Sequence, residues 1–105
     1  MRSRIARTSY RQAGRLVWRT NRGLRAGSVI LRRDEAMEWH STRHREELLI
    51  LLTGRVRIDV DASAQITRWS LRAGECAFIP PETPHRVVNR SRTIARYLYV
   101  TAPTS

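Results

Sequence analysis

A chain of 105 residues, 41% hydrophobic and 28% charged, has material for one buried core and not for two. No apolar run reaches the roughly 20 residues that cross a bilayer, so a membrane helix is excluded. Residues 1–33 hold no apolar segment of the secretory type, and Cys76, the single cysteine, cannot form an internal disulfide. The expected compartment is therefore a reducing cytoplasm. The net charge of +11 is unevenly placed: residues 1–33 carry ten Arg and no acid, while residues 34–105 carry ten Arg against nine acids. Every basic residue is Arg.

Residues 1–15 read as a basic, flexible arm and residues 16–105 as a single domain. Such an arm binds phosphate backbones only by non-specific counterion release, and no aromatic ladder or recognition-helix pattern accompanies it. No specific nucleic-acid partner is expected. Residues 16–18, Leu-Val-Trp, are a candidate first strand, and residues 28–32 a stronger one bounded by Gly27 and by Asp34 and Glu35.

Residues 47–53 form an apolar strand. With Glu47 inward, Leu49, Leu51 and Thr53 follow it, and Leu48, Ile50 and Leu52 form an apolar outer face. That face needs a cover, which predicts at least a homodimer. After Gly54, Val56, Ile58 and Val60 alternate with Arg55, Arg57, Asp59 and Asp61, the pattern of a half-exposed strand. The Thr53-Gly54 pair predicts a hairpin joining the two strands. Residues 62–64 are a small polar loop, and residues 65–71 a further strand anchored by Trp69 and Leu71. Residues 76–79 are a strand in which Cys76 is expected to be buried. Pro80, Pro81 and Pro84 impose a rigid turn, with Pro81-Glu82 suited to a type I geometry. Residues 85–88 and 93–101 complete the strands. Trp18, Trp39 and Trp69 are expected in the core or an interface. No segment has sustained helical periodicity, so the predicted class is all-β, a sandwich or barrel of short strands.

The chain has three histidines, His40, His44 and His85. Two lie just before the strand that Glu47 opens, and one follows the proline turn. Imidazole and carboxylate are the usual ligands of divalent transition metals, and strands of a small barrel bring such residues together. His40, Glu47 and His85 are the candidate metal ligands. His44 is a further candidate.

These residues resemble the two motifs of the cupin superfamily. In the first, His40, Glu47 and Gly54 match, Asp34 stands where the opening Gly belongs, and Thr42 replaces the second His. In the second, Gly74, Pro80, His85 and Asn89 match, and Glu82 replaces a Gly. The resemblance implies a small cupin-type β-barrel, a double-stranded β-helix or jelly roll, with one divalent metal (Fe, Mn, Zn or Ni) near its centre. It further implies a small organic ligand or substrate, an acid, sugar or phenolic, with Thr42 a candidate substrate-binding residue. The remaining reading is a non-catalytic binding or sensing barrel without metal.

Overall fold

The computed structural model describes residues 5–17 and 23–104. Eight strands are present and no helix occurs among the described residues. They are β1 (Gly14–Arg15), β2 (Arg25–Leu31), β3 (Arg45–Thr53), β4 (Arg55–Ala62), β5 (Gln65–Arg72), β6 (Cys76–Ile79), β7 (His85–Val88) and β8 (Ala95–Pro103). They form a five-stranded sheet, β1-β2-β8-β3-β6, and a three-stranded sheet, β5-β4-β7, antiparallel throughout.

The pleat of β3 is as the sequence requires as far as Leu51, but Thr53, expected inward, is exposed, because the register of β3 on β8 shifts between Leu51 and Thr53. Glu47, Leu49 and Leu51 are buried and Leu48 is exposed. Leu49 and Leu51 meet Ile58 and Val56 from β4, Val87 from β7 and Tyr97 from β8 in one apolar cluster between the sheets. Burying each such side chain contributes about 1.5–3 kcal/mol, which commits β3 to this register, because a slip of one residue would bring Leu48 in and Leu49 out.

The connection from β3 to β4 differs from the predicted hairpin. The two strands do not pair: β3 lies between β8 and β6, and β4 between β5 and β7. Gly54, at φ 81°, carries the chain from one sheet to the other. A Cβ there would lie 2.7 Å from the Ile94 carbonyl oxygen, so the crossing depends on glycine. The hairpin lies one connection later, between β4 and β5, where Ser63 and Ala64 both have positive φ, as a type I′ turn requires.

Other expectations are also corrected. The first strand is Gly14–Arg15, not residues 16–18, although the Leu16 amide still bonds the Ala26 carbonyl at 2.8 Å. Trp18 lies outside the described residues. Cys76 is exposed, because its row on β6 faces outward with Ile50. Trp69 shares the inner row of Ile58, but β5 is a sheet edge and the indole is 60% exposed. Trp39 is exposed too, with the Arg86 guanidinium 5.1 Å over its ring, so for both indoles the core half of the core-or-interface expectation is overturned. Asp59, assigned to the exposed face, is fully buried beneath Arg57 and Arg86, which bond its carboxylate at 2.7 and 2.9 Å. Glu82 has φ 59°, outside any type I turn. Near the N-terminus, Ser28 and Arg96 bond the Tyr10 carbonyl, and Arg96 also bonds that of Arg11 at 2.8 Å.

Candidate metal centre

Three segments bring the candidate ligands together. Glu47 is the third residue of β3, in a cross-strand row with Thr101 of β8 and Ile79 of β6. Its carboxylate faces the interior and is only 5% exposed. His85 opens β7 beside Val60 and is fully buried. His40 arrives on the segment that joins β2 to β3. Residues 34–40 run antiparallel to β7, with Met37 bonding the Val87 carbonyl at 2.8 Å. The segment ends in a bridge in which the His40 and His85 amides each bond the other's carbonyl, at 3.0 and 2.9 Å. The bridge holds the two imidazoles side by side, with ring centroids 4.4 Å apart.

Each histidine is oriented through its other nitrogen. His85 Nδ1 lies 2.8 Å from the Thr83 carbonyl oxygen, and His40 Nδ1 lies 3.0 Å from that of Glu38. A carbonyl can only accept, so Nδ1 carries a proton and, in the neutral ring, Nε2 offers a lone pair. One ligand atom from each of His40, Glu47 and His85 lies within 4.8 Å of the others.

His85 Nε2 and Glu47 Oε1 are 3.3 Å apart but out of line for a hydrogen bond, and both are buried without another partner. Burial alone would lower the His85 pKa. The Glu47 carboxylate and the Thr83 carbonyl outweigh that and hold it above the ordinary histidine value. Two unsatisfied buried atoms beside a second imidazole fit a divalent cation, which would satisfy all three at once.

The cluster opens on a cavity of about 590 Å³. Thr42 lies on its wall with its hydroxyl donated to the Arg45 carbonyl at 2.7 Å. His44 is exposed, outside the cluster of three, and its carbonyl accepts from the Thr104 amide and hydroxyl. Tyr97 and Tyr99 form the apolar floor. Burial, then Glu47 and Tyr99, push the Tyr97 hydroxyl well above its ordinary pKa, so it stays protonated. Gly27 makes room for Tyr99, since a Cβ at position 27 would collide with the phenol ring. Sequence reading missed the cavity's arginines, Arg15, Arg25, Arg43 and Arg45. Of these, Arg45 was within reach, being two residues before Glu47 on the same strand face.

A small two-sheet antiparallel barrel with a two-His, one-Glu cluster inside it defines a class of protein. The chain belongs to the cupin domain family: the Cupin_2 profile matches residues 27–101. A Cupin 2 conserved barrel domain protein from Salinispora arenicola superposes with a TM-score of 0.75 at 21% identity, covering 99% of this chain and 92% of that one. The cupin domain of Schizosaccharomyces pombe Cnp3 gives 0.76 at 16% identity, over 88% of this chain and 60% of that one. An oxalate oxidase in complex with the substrate analogue glycolate gives 0.72 at 19% identity, over 77% and 42%. The chain thus spans about half the length of these last two. At such identities the likeness is one of fold. No curated protein sequence matches the chain.

Proposed function

We propose that this cupin holds one divalent transition metal on His40, Glu47 and His85 and binds a small organic molecule in the adjoining cavity. The observation that carries this reading is the pair of buried atoms without a hydrogen bond, Glu47 Oε1 and His85 Nε2, beside the His40 imidazole. When bound, the metal would supply Lewis-acid polarisation of an oxygen donor, or redox chemistry if it is iron or manganese. The chain's own residues do the rest. The Thr83 and Glu38 carbonyls hold the imidazole tautomers, Thr42 shapes the wall beside the cluster, and Tyr97 with Tyr99 presents an apolar floor. The oxalate oxidase neighbour, solved with a small hydroxy acid, supports a ligand of that size.

A second reading, a binding or sensing barrel without catalysis, is favoured by one observation. Among the described residues lining the cavity, only His40 and Glu47 carry an imidazole or a carboxylate for acid–base work, and both are assigned to the metal. Elemental analysis of untagged protein beside its His85→Ala variant tests the metal. About one equivalent in the wild type and little in the variant is expected. No metal in the wild type after growth and dialysis with added Fe, Mn, Zn and Ni would defeat the reading.

A further inference from the structure

The cavity next to the cluster carries four arginines and a single carboxylate, Glu47. Sheet register fixes where two of the arginines stand. Arg25 pairs with Thr101, and Thr101 pairs with Glu47, so all three share one row of the inner face. Adjacent strands are about 4.8 Å apart, which puts the Arg25 backbone about 10 Å from that of Glu47. Arg45 precedes Glu47 by two residues on β3 and is drawn across β8, with Nε 2.9 Å from the Thr101 hydroxyl and Nη2 2.9 Å from the Thr101 carbonyl. Among the described residues, no carboxylate forms an ion pair with Arg15, Arg25, Arg43 or Arg45. By contrast, Arg57, Arg68 and Arg86 of the other sheet converge on Asp59.

Several unneutralised guanidiniums facing one cavity raise the local concentration of anions, and the guanidinium fork matches a carboxylate or phosphate. We infer that the ligand is a small organic oxyanion with two polar ends. One end, an oxygen donor, sits at His40, Glu47 and His85. The other, a carboxylate or phosphate, is gripped by Arg25 beside Arg45. The first end rests on the metal reading above; the second does not. Thr42 leaves room beside the cluster, and the tyrosine floor packs the carbon skeleton between the two ends. Neutral sugars and phenols are disfavoured, because they would leave the guanidiniums without an anion.

The test is calorimetric titration of untagged protein, metal-free and zinc-loaded, with succinate and with glycerol 3-phosphate at low salt. Succinamide serves as the uncharged control. Wild type is expected to bind at least one of the two anions, and which one it prefers identifies the acidic group. Arg25→Gln should weaken that binding about tenfold or more, the usual worth of a charge-assisted bond. Arg92→Gln, in the turn at the far end of β7, removes the same charge and should leave it unchanged, with unaltered melting curves confirming the fold of both variants. Binding of neither anion at millimolar concentration overturns the inference, as does equal loss in the two variants or equal binding of succinamide. Anion binding that depends on Arg25 but is indifferent to zinc overturns the metal reading and leaves the arginine grip standing. Zinc uptake without anion binding does the reverse.

Discussion

His40 and His85 exchange both of their backbone hydrogen bonds across a single antiparallel bridge, and this bridge is what makes a site of two distant histidines. It fixes the two imidazoles relative to each other before any ligand arrives, and β3 then delivers Glu47 to them from the opposite sheet. Because Thr42 follows His40 by two residues and lies on the cavity wall, Thr42→His should add a fourth ligand. A direct ligand should be worth no less than a supporting one, so zinc affinity should rise by about tenfold or more. Competition titration with a chromophoric chelator reads this, and unchanged affinity would refute it.

Glu82 and Asp34 stand where the family motifs carry glycine, and both keep the left-handed backbone, at φ 59° and 62°. The left-handed backbone is met here without the residue that adopts it most easily. Glu82 is exposed, and its amide still bonds the Arg43 carbonyl at 2.7 Å. Glu82→Gly should therefore stabilise the fold by about 0.5–1 kcal/mol, the left-handed penalty less the added chain entropy. Asp34→Gly should do less, because aspartate tolerates this region better. Chemical denaturation measures both, and a lower midpoint for Glu82→Gly would contradict the argument.

Asp59 is the one buried acid of the outer side of the three-stranded sheet. Burial alone would raise its pKa, but hydrogen bonds and charge from Arg57 and Arg86 prevail and hold it below the ordinary value. A depressed folded-state pKa contributes stability above about pH 3.9 that is lost as pH falls through the lower folded value. Asp59→Asn should cost about 1–3 kcal/mol at pH 7, between the worth of an exposed pair and the cost of breaking a fully buried one, because the arginines are partly solvated. The gap between wild type and variant should close in urea melts at pH 2–3. A gap independent of pH would show that packing, not charge, is responsible.

Leu48 and Phe78 pair directly across β3 and β6 on the outer face, 40% and 60% exposed. Large exposed apolar patches are the usual mark of an interface. Wild-type protein is expected to sediment as a dimer at micromolar concentration, and Phe78→Glu should shift it toward monomer without lowering the melting temperature of the fold. A monomeric wild type would dispose of this expectation.

The inward parity of Glu47, Leu49 and Leu51 follows from the two-residue period of a strand, and the spacing of His40, Glu47, His85 and Asn89 was readable in the motifs. Both are local patterns, written in neighbouring residues. The partners of β3 were not readable, because Thr53-Gly54 suits a hairpin as well as a crossing. Only the packing of Gly54 against Ile94 and Ala95 makes it a crossing. Likewise, the alternation of β4 put Asp59 on the solvent side, and it took Arg86 from β7 to bury it. The arginines of the cavity are scattered from Arg15 to Arg45 among twenty in the chain. Nothing local distinguishes them from the solvated ones. Sheet register does, by placing Arg25 and Glu47 in one row, and register is a property of long-range pairing that only the folded chain possesses.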